Sequence, residues 1–174
     1  MSSSPPIEIN QDFRDMLGLL LKHNVRFLLI GGYALGIHAE PRFTQDMDFF
    51  IQPTPDNAQK LWEALAEYGA PLHLFAMEDF ANAANVVQIG VAPNRIDFTM
   101  SIQGVSFDDA WRERLQVEFA SQMIPVINRK HLILNKQAVG RPKDLADVRA
   151  LLKNPPAAAT HPWRKKNSAS KKQH

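Results

Sequence analysis

The chain has 174 residues, 45% of them hydrophobic, which suits one globular domain and excludes a disordered chain. It contains no cysteine, so disulfides and thiolate metal sites are excluded as well. The formal charge of +2 hides an asymmetry: from Asn154 onward the chain carries five Lys/Arg and no acid, so the remainder stands at −3 and the basic character belongs to the tail. No apolar run is long enough to span a membrane, and MSSSPPIEIN lacks the basic and apolar regions of a signal peptide. The expected location is cytoplasmic, without a membrane partner.

In chain order, residues 1–11 read as a disordered lead-in. Asp12 is placed to cap a helix over residues 13–23, with Phe13, Met16, Leu17, Leu20 and Leu21 at helical spacing. A strand follows at residues 25–30. Gly31-Gly32 breaks it, and residues 33–38 read as a short helix before Pro41. Asp46–Ile51 is the next strand; then Pro53 to Asp56 forms a turn into a helix that ends at Gly69. Between 71 and 85 the pattern is ambiguous, with a short strand at 73–75 and a helical turn at 78–83 as the expectation. Residues 86–91 and 95–100 read as strands joined through Ala92-Pro93-Asn94. Ser106 caps a helix to Arg114, residues 117–120 and 123–127 are two more strands, and helices follow at 130–139 and 143–152 around Gly140-Arg141-Pro142. Residues 153–174 form a basic, low-complexity tail. Its paired lysines suit salt-dependent contacts to RNA, and equally a solubilising segment. The expectation is one domain over 12–152 of the α/β (α+β) class, with a mixed β-sheet flanked by helices; the hairpin across 86–100 argues against a purely parallel sheet.

Chemistry concentrates between Gly31 and Asp97. Side chains alternate along a strand, so Asp46 and Asp48 share one face while Met47 and Phe49 take the other. Two hard carboxylate ligands about 7 Å apart along a strand can converge on a pair of Mg²⁺ ions. Solvated acids on an open face are the plain alternative, but the flanking apolar runs mark central strands. Asp97 is a third acid on the outward face of its strand, alternating with Ile96 and Phe98. Gly31 and Gly32 let backbone approach a phosphate at a helix N-terminus, although a tight turn needs the same residues. Arg42 and Thr44 suit contacts to a phosphate, or local pairing and capping. Lys136, Arg141 and Lys143 are the late cations; a surface lysine with a buried stem is the plain reading of Lys136. Asp144 and Asp147 suit pairing with Lys143 and Arg149. The histidines show no metal-ligand spacing, and neither a Walker A lysine nor the G-x-S-x-G or HExxH signatures occur.

Gly31-Gly32 at a strand–helix turn, Asp46-x-Asp48 on the next strand and Asp97 on a later one resemble the nucleotidyltransferase superfamily, which has the DNA polymerase β-like fold. The fuller stretch GGYALGIHAEPRFTQDMD, with KQAVGRPKDLAD at 136–147, resembles the AbiEii-type bacterial nucleotidyltransferases, often half of a toxin–antitoxin pair. The resemblance spans roughly residues 12–152. It implies that Asp46, Asp48 and Asp97 hold two Mg²⁺ ions, with Asp97 activating the acceptor hydroxyl or completing the metal site. It further implies that Gly31, Gly32, Arg42 and Thr44 face the triphosphate, and that Lys136, Arg141 and Lys143 contact nucleotide or acceptor. Tyr33 stands where many relatives carry serine. The implied reaction moves NMP from an NTP to a hydroxyl of RNA, tRNA included, or of protein, with a cognate toxin or antitoxin as a further partner. The other reading is a catalytically inactive member of the fold that binds a nucleotide or a partner.

Overall fold

The first helix is capped by Asn10, whose side chain accepts a hydrogen bond from the Phe13 N–H at 2.9 Å. In the computed structural model, which describes residues 9–40 and 44–153, this helix (α1) runs Gln11–Lys22. Asp12 therefore lies in the first turn and not at the cap, where its charge still favours the helix's positive end. Ile9, ahead of the boundary expected at residue 12, is buried. The rest of the lead-in, Arg42 and the tail from residue 154 lie outside the described residues.

Helix α1 ends in paired bonds from the Val25 N–H to the Leu20 carbonyl and from the Asn24 N–H to the Leu21 carbonyl, with Asn24 at φ 55°. That turn uses Asn24 and Val25, so strand β1 is Phe27–Ile30 and starts two residues later than expected. Helix α2 follows without a gap at Gly31–His38, then strand β2 at Asp46–Ile51 and helix α3 at Pro55–Tyr68. Thr54 caps α3, and Gly69 ends it in the left-handed region at φ 88°.

The strand expected at 73–75 is a 3-10 turn, Leu72–Leu74, and the helical turn expected at 78–83 is a second one, Met77–Ala81. A strand needs a ladder partner, whereas this segment serves as an apolar plug. Phe75 and Trp62 both set their rings against Phe80, at 6.4 and 6.2 Å. Strands β3 (Val86–Ile89) and β4 (Arg95–Thr99) form the expected hairpin. Helix α4 (Phe107–Arg112), strands β5 (Leu115–Phe119) and β6 (Gln122–Val126), and helices α5 (Arg129–Val139) and α6 (Pro142–Lys153) complete the order.

The six strands form one mixed sheet in the order β3-β4-β2-β1-β6-β5, with β2 parallel to β4, β1 parallel to β6, and the other neighbours antiparallel. The fold is thus α+β with a mixed, helix-flanked sheet, as the sequence pattern implies. One face carries Phe27, Leu29, Met47, Phe49, Ile96 and Phe98, all fully buried. Phe49 stacks on Phe98 at 5.7 Å and meets the Phe27 ring edge-on at 5.3 Å. The other face changes character along its length. Phe50 lies under Phe107 of α4 at 5.0 Å, while two residues earlier on β2 the same face carries Asp48. The dry end anchors α4; the acidic end is left for chemistry.

Asn57 locks the ends of β1 and β2 together. Buried at the start of α3, it accepts from the Arg26 N–H at 2.7 Å and donates to the Arg26 and Gln52 carbonyls at 3.0 Å each. Asn57→Ala leaves these backbone groups without their partner. We expect a loss of about 3 kcal/mol, read as a lowered urea midpoint at unchanged m-value.

Candidate active site

The sheet register builds the site. Asp48 of β2 sits opposite Ile30 of β1 on one side and Asp97 of β4 on the other. Asp46, two residues back, is opposite Arg95. Three carboxylates from two adjacent parallel strands therefore share one sheet face beside the point where β1 turns into α2. Asp97 is buried, and Asp46 and Asp48 are half-buried.

The glycines are required by what lies against them. Gly31 has φ +69°, and a Cβ there would fall 2.2 Å from Asp48 Oδ2. Any side chain at this position would collide with the carboxylate and strain the turn. A Cβ on Gly32 would meet Thr44 at 3.0 Å. Thr44 in turn fixes the start of β2: its hydroxyl donates to the Asp46 carbonyl at 3.2 Å and accepts from the Asp46 N–H at 3.4 Å. The Gly31-Gly32 turn thus packs directly on the acidic strand, with the N-terminus of α2 at that point.

The carboxylates repel one another. Burial first, then the charges of Asp97 and Asp46, push Asp48 up to about 7, against the opposing pull of Arg95. Burial also raises Asp97, again with Asp46 adding to the rise and Arg95 opposing it. Arg95 is the residue beside these acids that pattern reading did not single out. Its Nη2 donates to Asp46 Oδ2 at 2.9 Å, and its Nε lies 3.3 Å from Asp97 Oδ1. The signal was present in the alternation of β4, which places Arg95 on the same face as Asp97.

Whether these residues fit a divalent cation is decided by their chemistry. The donors are hard oxygens of the kind Mg²⁺ takes, and Asp97 Oδ1 is buried without a hydrogen-bond partner. Both Asp48 and Asp97 are raised, foremost by burial, and an added cation would oppose that rise. Among the described residues no group of three or more His, Asp or Glu side chains is gathered closely enough to hold a metal ion as it stands. By donor type the three carboxylates suit a hard cation, and Arg95 lies among them.

The late cations divide. Lys136 is buried, with Nζ 2.9 Å from Asp147 Oδ2 and 3.8 Å from Asp144 Oδ1. Arg141 donates from Nε to Asp144 Oδ2 at 2.6 Å and, foremost by that bond, holds the Asp144 carboxyl below its ordinary range. Asp144 and Asp147 thus pair with Lys136 and Arg141, and not with Lys143 and Arg149 as their spacing suggested. Lys143 is exposed. The network ties α5 to α6, and α6 touches α2, which carries the glycine turn.

The family described as "AbiEii: Nucleotidyl transferase AbiEii toxin, Type IV TA system" matches residues 19–132. No curated protein matches the chain. Among solved structures, the lincosamide antibiotic adenylyltransferase LnuA, lincomycin-bound, is similar with a TM-score of 0.54 at 15% identity, over 83% of this chain and 96% of that one. The antibiotic-resistance factor ANT(2'')-Ia in solution is similar with a TM-score of 0.51 at 11% identity, over 82% of this chain and 81% of its own. The same enzyme in complex with adenylyl-2''-tobramycin gives 0.51 and 11%, over 81% and 86%. These likenesses show the nucleotidyltransferase fold.

The raised Asp48 has a consequence for stability. A carboxyl whose folded pKa lies above its unfolded one stabilises the fold fully below about pH 4, and that contribution fades as pH rises through about 7. Metal-free protein should therefore lose thermal stability between pH 4 and 7, and Asp48→Asn should flatten that slope. The depressed Asp144 acts with the opposite sign and only at lower pH, so the two windows separate. Melting temperatures in chelator-treated buffer across this range check the sign.

Proposed function

The chain belongs to the AbiEii nucleotidyltransferase family, and we propose that its acidic face transfers NMP from an NTP to a hydroxyl of RNA or protein with Mg²⁺. The observation that carries this reading is the Asp48 carboxylate lying over the Cα of Gly31, with Asp97 as its cross-strand neighbour. The acids and the Gly31-Gly32 turn thereby adjoin, which supports reading them as one metal and phosphate site. Asp46, Asp48 and Asp97 would hold the two metal ions. When bound, these supply charge neutralisation at the α-phosphate and the leaving pyrophosphate.

The chain's own residues do the rest. The N–H groups of the Gly31-Gly32 turn, at the start of α2, favour the anionic triphosphate. Thr44 Oγ1 keeps β2 in register with that turn. Asp97 Oδ1, buried and without a hydrogen-bond partner, is the acceptor for the proton of the attacking hydroxyl. Lys136 and Arg141 act through the ion-pair network that ties α5 to α6, the helix that touches α2. Lys143, exposed at the start of α6, is free to meet nucleotide or acceptor. The working unit is the expected domain of 12–152, extended to Ile9, with the basic tail outside it.

The family description bears on the acceptor. The neighbours LnuA and ANT(2'')-Ia carry antibiotics in their structures, whereas the family description is a toxin of a toxin–antitoxin system. That supports a cellular macromolecule as acceptor, a cognate antitoxin as partner, and the cytoplasm as the place of action.

Incubation with each α-³²P NTP, total RNA and total protein should transfer label only with Mg²⁺. Asp48→Asn should lower transfer by about 10³-fold, the several kcal/mol that metal charge stabilisation supplies. Undiminished transfer by this variant would remove the metal assignment. Label accepted by lincomycin or tobramycin, and by neither RNA nor protein, would move the acceptor to small molecules.

A further inference from the structure

Arg95 is placed where a cation belongs. It opens β4, opposite Asp46 in the parallel register with β2, two residues before Asp97 on the same face. Its Nη2 takes Asp46 Oδ2 at 2.9 Å, while its Nε faces Asp97 Oδ1 at 3.3 Å. The second contact is poorly aligned: Arg95 Nε and Asp97 Oδ1 are both buried, and neither makes a hydrogen bond. A guanidinium in a good fork satisfies one carboxylate with two parallel bonds. Here it is split between two carboxylates and satisfies neither fully. A divalent cation held by Asp46 and Asp97 would claim the same oxygens.

We propose that Arg95 is the resident counter-ion of this centre: its guanidinium neutralises Asp46 and Asp97 in the metal-free protein and must release them as a divalent cation binds. It is a positioning residue that sets metal affinity. The side chain is 36% exposed, so it has room to swing outward when its partners are taken. The proposal rests on reading the three aspartates as the metal centre.

Two effects of removing this charge act in the same direction. The competitor for the carboxylate oxygens is lost, and the metal-free state becomes more repulsive. Arg95→Met should therefore bind Mn²⁺, measured by calorimetry without nucleotide, about fivefold more tightly than wild type, the scale of a part-exposed ion pair. Its metal-free melting temperature should fall and should rise more on Mn²⁺ saturation. Arg95→Lys, whose compact ammonium reaches one carboxylate but does not span two, should fall between.

Equal or weaker Mn²⁺ binding by a folded Arg95→Met would overturn the proposal. If that variant does not fold, Arg95→Lys decides: tighter binding than wild type supports the counter-ion role, and equal or weaker binding overturns it. Asp48→Asn separates this from the underlying reading. If wild type and Asp48→Asn bind Mn²⁺ alike, the aspartates are not the metal centre and both fail. If Asp48→Asn loses binding while neither Arg95 variant gains it, only the role of Arg95 fails.

Discussion

Holding three like charges on one face of a folded sheet is the constraint on which the rest of this structure depends. Parallel pairing of β2 with β4 places Asp48 beside Asp97 and leaves Asp46 beside Arg95. Isolated ionised carboxylates at such a place are costly, and three devices offset the repulsion. Asp48 is pushed toward its protonated form, Arg95 lends a positive charge, and the Gly31-Gly32 turn leaves space in which the Asp48 carboxylate can lie. Each device is one that bound cations and an anionic substrate would replace or use. The apolar face behind supplies the stiffness: Phe27, Phe49 and Phe98 form a continuous aromatic layer under the acids.

Much of this was legible in the sequence because strand alternation is strict. Asp46 and Asp48 alternate with Met47 and Phe49, and Asp97 alternates with Ile96 and Phe98, so the acidic and dry faces could be separated without coordinates. Helix ends were legible at Ser106 and Gly69, whereas α1 is capped by Asn10 and not by Asp12, and α3 starts at Pro55 behind Thr54. The segment 72–81 was not, because its Leu, Phe and Met residues suit either a strand or a turn. Its state is decided by packing against Trp62 and Phe98, which no local pattern encodes.

Partner choice among charges was the other limit. Spacing on a helix suggests neighbours at three or four residues, and Asp144 and Asp147 lie close to Lys143 and Arg149 in sequence. The structure instead draws Lys136 from α5 into contact with both acids. A buried lysine with two carboxylates joins the two consecutive helices through a pairing that spacing of three or four residues does not show. Arg95 escaped notice for a related reason: an arginine near an acid is common, and only the parallel register shows that it reaches two.

The central claim is that Asp46, Asp48 and Asp97 hold the metals at which a nucleotide reacts beside the Gly31-Gly32 turn. A crystal of the protein with Mn²⁺ and a non-hydrolysable NTP, measured at the manganese absorption edge, tests it most directly. The account predicts anomalous peaks within ligand distance of these three carboxylates, with the triphosphate against Gly31 and Gly32 and the Arg95 guanidinium withdrawn from Asp46. Manganese bound elsewhere, or a nucleotide seated away from this turn, would contradict it.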